Sequence, residues 1–263
     1  MNATEIAMEG LEGRRVLVTG GSRGIGLGIV EALVARKAEV TVLARDPGRL
    51  AEVSSRLGVA TFAGDVTDVS LARTVLRQVR PSVLVLNAGA SPALGTIDQL
   101  TWEDFQRTWQ TDVKAGFHWV QEAIGLPLPH GSRVILGSSG AAVKGSPLSG
   151  GYAGAKRTLW LMAHYANQVM ADRGLGVHFQ AILPMQIMGD TALGRAAAEA
   201  YAKRKGVSLE IFLAGFGEPL TPRKVGEQVV SILTEPRYAS GVAFGLKGGA
   251  GDAGDAGIIA LDG

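Results

Sequence analysis

Tyr152 and Lys156 stand four residues apart in the stretch Gly-Tyr-Ala-Gly-Ala-Lys. On a helix that spacing puts both side chains on one face. A tyrosine hydroxyl ionises near ~10 and is a poor acid–base group at neutral pH on its own. An ammonium beside it favours the phenolate, so the pair can move a proton near pH 7 if the lysine is held in place. Tyrosine and lysine also meet at this spacing by chance in many helices. Ser139 gives the pair weight: it ends an apolar run thirteen residues earlier. The intervening loop can return the chain to the same pocket, where the serine hydroxyl could hold a carbonyl oxygen beside the tyrosine.

A second chemical feature lies near the start of the chain. Val16-Leu17-Val18 reads as a buried strand. Thr19, Gly20, Gly21, Ser22, Arg23, Gly24, Ile25, Gly26 and Gly28 follow, and then an apolar-periodic helix through Ile29, Val30, Leu33 and Val34. A strand, a glycine turn and a helix N-terminus make a seat for a phosphate, because the backbone can approach closely and free N–H groups face the anion. The spacing is Thr-Gly-x-x-x-Gly-x-Gly, not the nominal G-x-G-x-x-G, and the Gly-Lys-Ser/Thr ending of a nucleoside-triphosphate loop is absent. Taken alone, the turn could merely pack a helix onto a sheet.

The elements that must position these residues alternate. Strands are expected at Glu39 to Ala44, Ala60 to Ala63, Val83 to Leu86, Val134 to Leu136, Val177 to Leu183 and Gly241 to Leu246. Between them, helices are expected at Arg49 to Leu57, from Asp68 to Arg80, from Trp102 to about Gly125 behind a Thr101/Asp104 capping box, and from about Gly151 to Arg173. Thr191 to Phe216 reads as helical with a break near Gly206, and Pro222 opens a further helix behind Thr221. The pattern predicts one α/β domain over residues 1–263: a Rossmann-type, doubly wound parallel sheet of about seven strands with helices on both faces. The core spans 14–249, and the Asp-Ala-Gly-rich tail 250–263 is expected to be mobile. In such sheets the ligand lies beyond the carboxyl ends of the strands. Gly20, Arg45, Asp65, Asn87, Ser139 and Pro184 all fall at or just after an expected strand end.

Composition narrows the classes. Hydrophobic residues make up 46% of 263, enough for a large core. No run of about twenty apolar residues appears, so no membrane span is expected. The first ten residues carry Glu5 and Glu9 and no signal-peptide pattern, which points to the cytoplasm. There is no cysteine, which excludes disulfides and thiol chemistry, and His118, His130, His164 and His178 lack metal-ligand spacing, so no metal is expected. Net charge is +2 with scattered basic residues, and no basic face or stacking motif supports nucleic-acid binding.

Together the ordered motifs resemble the short-chain dehydrogenase/reductase family. Thr19-Gly20-x-x-x-Gly24-x-Gly26 is similar to its cofactor turn, Asp65-Val66 to its adenine-side contact, Asn87-Ala88-Gly89 to the motif after its fourth strand, and Ser139 with Tyr152-x-x-x-Lys156 to its catalytic set. The resemblance runs from about Arg14 to Gly249. It implies a nicotinamide cofactor along the strand ends, with Pro184 and Ile187 beside the carboxamide. Tyr152 then exchanges a proton with the substrate oxygen, Ser139 hydrogen-bonds that oxygen, Lys156 holds the cofactor ribose, and hydride passes between the nicotinamide and the carbinol carbon of a small carbonyl or alcohol substrate. It also implies a homo-oligomer, a tetramer or dimer, paired through the two long central helices.

Two positions depart from the family. Asp112 replaces the asparagine that binds a water of the proton relay; an ionised aspartate accepts but cannot donate, and its charge favours protonated Lys156 if the two are close. Altered pH dependence, not inactivity, is the expectation. Pro184-Met185 replaces Pro-Gly, and Met185 and Met188 could line the substrate pocket or simply pack. Residues from Met185 to about Pro219, with Gly189, Gly194, Gly206, Gly215 and Gly217, are expected to form a movable cover. The cofactor expected is NADP(H) over NAD(H). Ala44 ends the second strand where a ribose-binding carboxylate would repel a 2′-phosphate, and Arg45 and Arg23 flank that position. Asp46 is the competing candidate for the ribose acid. The alternative function is an NADP(H)-binding regulatory protein of the same fold with weak catalysis or none.

Overall fold

The computed structural model describes residues 10–126, 128–249 and 257–261. Eight strands form one sheet: β1 (Arg15–Thr19), β2 (Glu39–Ala44), β3 (Ala60–Ala63), β4 (Val83–Leu86), β5 (Ser132–Gly137), β6 (Val177–Pro184), β7 (Ala243–Leu246) and β8 (Ile258–Ala260). Their order is β3-β2-β1-β4-β5-β6-β7-β8. Each pairing from β3 to β7 is parallel, and β8 adds antiparallel to β7, with Leu246 opposite Ile258. The expectation of about seven strands missed β8, because three residues behind a glycine-rich stretch give no periodicity to read. Ile258 to Ala260 therefore belong to the sheet and not to a loose tail; residues 250–256 of that expected mobile tail lie outside the described residues.

Ten helices among the described residues complete the α/β pattern: α1 (Gly24–Ala35), α2 (Pro47–Leu57), α3 (Val69–Val79), α4 (Trp102–Thr108), α5 (Lys114–Gly125), α6 (Ala141–Lys144), α7 (Tyr152–Asp172), α8 (Ala192–Lys205), α9 (Leu209–Ala214) and α10 (Pro222–Thr234). Ile29, Val30 and Leu33 of α1, Leu50 and Val53 of α2 and Val225, Val229 and Ile232 of α10 cover one face of the sheet. Val75 and Leu76 of α3, Trp119 and Ala123 of α5 and Leu159 and Ala163 of α7 cover the other. A sheet covered on both faces leaves no strand face to water, which is why β4 and β5 are buried at every position, Ser132 and Arg133 of β5 included.

The helix starts are local. Asp46 accepts from the N–H groups of Gly48 and Arg49, Asp68 from those of Ser70 and Leu71, and Thr221 from that of Lys224. α2 accordingly begins at Pro47, two residues before the expected Arg49, because Asp46 caps and proline suits the first turn. The expected single helix from Trp102 to Gly125 is broken. A π-turn, Trp109–Val113, separates α4 from α5, and the Lys114 N–H reaches back five residues to the Trp109 carbonyl. Such turns are rare and cluster at functional sites.

Candidate active site

The strand order reverses between β1 and β4, and this opens a crevice at their carboxyl ends. Thr19 stitches its walls together. Its hydroxyl donates to the Val85 carbonyl at 3.3 Å and accepts the Asn87 and Ala88 N–H groups at 3.1 and 3.3 Å. The Asn87 amide lies 3.5 Å from the Gly20 carbonyl. Gly20 turns the chain at φ 70°, and a Cβ there would meet the Ala88 Cα at 2.8 Å. A Cβ on Gly26 would sit 2.2 Å from the Gly20 carbonyl oxygen.

This turn fits a dinucleotide phosphate. α1 starts at Gly24 behind an extended Arg23 with no side-chain cap and no acidic residue in its first turn, while Asp46 and Asp68 cap the two helices that follow. Among the described residues no side chain caps the first N–H groups of α1, and no acidic residue of its first turn neutralises them. Ser22 and Ile25 are half-buried beside them, and Arg23 is exposed.

Just beyond β3, Asp65 accepts from the Thr67 N–H at 2.8 Å and the Thr67 hydroxyl at 2.9 Å. These bonds, backbone first, hold its carboxyl below the ordinary carboxylate value; the fields of Arg45 and Lys114 add to them, against slight burial. Val66 is buried, and its carbonyl accepts the Trp119 indole N–H at 2.9 Å. Arg45 follows β2 and is exposed. Asp46 is engaged as the α2 cap, with Oδ1 3.0 Å from the Gly48 nitrogen and Oδ2 3.4 Å from Arg49 Nε.

The candidate catalytic side chains lie where β5 and α7 meet. Ser138 Oγ donates to the Lys156 carbonyl at 2.7 Å and pins strand end to helix. Ser139 Oγ accepts the Ala141 N–H at 3.2 Å, which leaves its own proton free to donate. Lys156 Nζ donates to the Gly137 carbonyl at 3.0 Å and pairs with Asp112 Oδ2 at 2.9 Å; the two side chains are 9% and 1% exposed. Its Nζ lies 5.7 Å from the centre of the Tyr152 ring. Burial opposes the ammonium, but the Asp112 carboxylate, with Tyr152, outweighs it and holds Lys156 above the ordinary lysine value. The other Asp112 oxygen accepts the Ala90 N–H at 2.8 Å, and a Cβ on Gly89 would collide with the carboxylate at 2.6 Å.

The structure thus brings Tyr152, Lys156 and Asp112 into one cluster and gathers Thr19, Gly20, Gly26 and Asn87 at the crevice. Pro184 ends β6 and Ile187 follows it, both half-buried. Thr191 is committed locally: its hydroxyl accepts the Gly194 N–H and donates to the Met188 carbonyl, each at 3.0 Å. The two methionines differ in burial. Met188 is buried in the core, and Met185 lies against Gly140 and Gly245 with Leu261 near by. Sequence reasoning missed Trp109, whose indole N–H donates to the Gly151 carbonyl at 3.0 Å; nothing local to Trp109 signals a partner so distant in the chain. Of the glycines expected to hinge the cover, Gly206 and Gly217 have positive φ, while Gly189 and Gly194 make close packing contacts with Leu213 and Met188.

The family model described as short chain dehydrogenase matches residues 14–203. The chain belongs to the short-chain dehydrogenase/reductase family. An uncharacterized oxidoreductase of Escherichia coli is 31% identical over 188 residues, 66% of this chain and 63% of its own length. A short chain dehydrogenase/reductase of Aspergillus aculeatus is 32% identical over 164 residues, and this chain spans 58% of it. A 2-(S)-hydroxypropyl-CoM dehydrogenase of Xanthobacter autotrophicus is 29% identical over 257 residues, 91% of this chain and 97% of that one. A solved short chain dehydrogenase of Burkholderia cenocepacia, in complex with NADP, shares 25% identity with a TM-score of 0.72, covering 91% of this chain and 98% of its own. This short-chain dehydrogenase/reductase has a mostly parallel sheet with helices on both faces, the fold of the solved relative. Among the described residues no helix is long and apolar enough to cross a membrane.

Proposed function

We propose that this short-chain dehydrogenase/reductase interconverts a carbonyl and an alcohol with NADP(H). The observation that carries the reading is the fixed ammonium: Lys156 Nζ, held between the Gly137 carbonyl and Asp112, 5.7 Å from the Tyr152 ring centre. A bound nicotinamide would supply or accept the hydride. Tyr152 gives the proton to the substrate oxygen in reduction and takes it back in oxidation. Ser139 donates its free O–H to that oxygen. Lys156 holds the cofactor ribose and, as a cation, favours the phenolate form of its neighbour. Thr19, Gly20, Ser22, Gly24, Ile25, Gly26, Asn87, Gly89, Pro184 and Ile187 would line the cofactor.

The choice of NADP(H) is supported by Arg45, exposed beyond Ala44 where no carboxylate stands, and by the engagement of Asp46 as a helix cap. The NADP-bound Burkholderia relative agrees with it. The segments beyond β4, β5 and β6 carry exposed Leu94, Ile97, Val143 on α6 and Ile211 on α9. The Gly95 N–H donates to the Leu148 carbonyl at 3.0 Å and Ser146 Oγ meets the Tyr201 hydroxyl at 2.9 Å, so these segments meet one another. An apolar rim suits an apolar ketone or alcohol. We read the chain as a homo-oligomer, tetramer or dimer: Trp102, Phe117 and Tyr165 are exposed on α4, α5 and α7, and light scattering at micromolar protein reads the state.

The experiment is a panel of ketones, aldehydes and alcohols with NADP(H) or NAD(H), run on wild type and Tyr152→Phe. The enzyme reading expects wild-type turnover that falls by about 10²–10⁴ in the variant. Tight cofactor binding with no turnover on any member would instead support the regulatory reading.

A further inference from the structure

The π-turn that carries Asp112 also carries Trp109, and the two grip α7 at different heights. Asp112 holds Lys156. Trp109 donates its indole N–H to the carbonyl of Gly151, the residue just before Tyr152. Gly151 is the N-cap of α7 and offers no side-chain cap to its first turn. A helix start without a cap frays, because its first N–H groups lack partners. Here the start is tied from outside. The Gly151 N–H donates to the Phe105 carbonyl at 3.2 Å, and the Gly151 carbonyl receives both the Ala155 N–H at 2.9 Å and the Trp109 indole at 3.0 Å. The indole lies close against two glycine positions. A Cβ on Gly154 would come within 3.2 Å of the ring, and one on Gly151 within 3.0 Å of the indole nitrogen. Gly151 and Gly154 flank Tyr152 in sequence.

We infer that Trp109 is a positioning residue for Tyr152. It donates to the Gly151 carbonyl, caps none of the first N–H groups, and by that tie fixes the first turn of α7, with the tyrosine one turn before Lys156. The value of this to catalysis rests on the dehydrogenase reading above; the mechanical claim does not. At 39% exposure the ring is also open at one side, so a direct substrate contact is the rival role.

The test uses the full chain as Trp109→Phe, which keeps a ring over Gly154 and loses the N–H. Hydrogen exchange is read by mass spectrometry, with kinetics alongside. Backbone amides of residues 150–157 are expected to exchange about 3- to 10-fold faster, one hydrogen bond's worth, with the rest of α7 unchanged. Turnover is expected to fall by a similar factor for every substrate, with KM and cofactor affinity held. If Trp109→Phe does not fold, Gly154→Ala reads the same point. Alanine improves helix propensity, so faster exchange at 150–157 there supports the tie and slower exchange opposes it. Unchanged exchange in folded Trp109→Phe, with KM shifts that depend on the substrate, overturns the proposal in favour of direct contact. Faster exchange in a protein whose wild type turns over nothing keeps the tie and removes the dehydrogenase reading.

Discussion

Asp112→Asn removes one charge from the cluster and little else. The amide keeps the carboxylate's shape, and its oxygen can still accept the Ala90 N–H held at 2.8 Å. Lys156 is then buried as a cation with the Gly137 carbonyl at 3.0 Å as its remaining partner. At 2.9 Å and an effective dielectric of about 20, the lost attraction is about 6 kcal/mol before desolvation is set against it. Breaking a buried pair on one side destabilises by about 3–5 kcal/mol. The lysine has one escape, which is to lose its proton. From its ordinary value of 10.5, neutralisation costs about 1.4 kcal/mol per pH unit, hence about 5 kcal/mol at pH 7 and about 2 kcal/mol at pH 9. Those figures are ceilings on the loss. The pH dependence also changes sign. In the wild type the folded value of Lys156 is raised, so the pair's stability is present in full below 10.5 and is lost as pH rises through the higher folded value. In the variant the pull of Asp112 is gone and burial, the largest influence, outweighs Tyr152 and lowers the folded value, so stability climbs with pH up to about 10.5. Denaturant titrations of both proteins at pH 7, 8 and 9 should show a gap of about 3–5 kcal/mol that shrinks to about 2 kcal/mol or less. A gap below about 1 kcal/mol at pH 7, or one constant across the series, would refute the reasoning, because it would mean that water already solvates the ammonium.

Arg45→Ala should raise the NADPH dissociation constant at least about tenfold, the loss of one charge-assisted contact, while leaving NADH nearly unchanged; equal wild-type affinity for the two cofactors in a fluorescence titration would sink the assignment. Gly28→Ala should destabilise by about 1–3 kcal/mol or more, since a Cβ there would lie 2.1 Å from the Pro222 carbonyl oxygen and force α1 off α10. Its guanidinium midpoint reads this, and an unshifted midpoint would show slack between the helices. Residues 185–219 should gain hydrogen-exchange protection when cofactor and substrate are added together; equal protection with and without them argues against a movable cover.

Much of the fold was legible because its signals are short-range. Apolar runs marked β1 to β7, and Asp46, Asp68, Thr101, Thr191 and Thr221 each sit at a helix start and accept from an N–H two or three residues on. Once the strands are known to run parallel, chain order alone puts Gly20, Arg45, Asp65, Asn87, Ser139 and Pro184 at one end of the sheet. The Tyr152–Lys156 pair was readable for the same reason, a spacing within one helix.

What the tertiary structure alone decided is which distant residues meet. Trp109-Gln-Thr-Asp-Val113 contains no glycine or proline to announce a π-turn, and the turn exists where α4 and α5 must face both Gly151 and Lys156 of α7. That Asp112 pairs with Lys156 directly follows from the placement of β4 beside β5, which brings the loop after each to the same edge. Met185 packs because Gly140 and Gly245 leave it room, and those glycines lie on other segments of the chain. β8 forms because β7 offers an open edge, not because Ile258-Ile259-Ala260 demands to be a strand. Caps and periodicity are energies of neighbours in sequence, whereas burial of a charge or a thioether depends on what the sheet order carries alongside it.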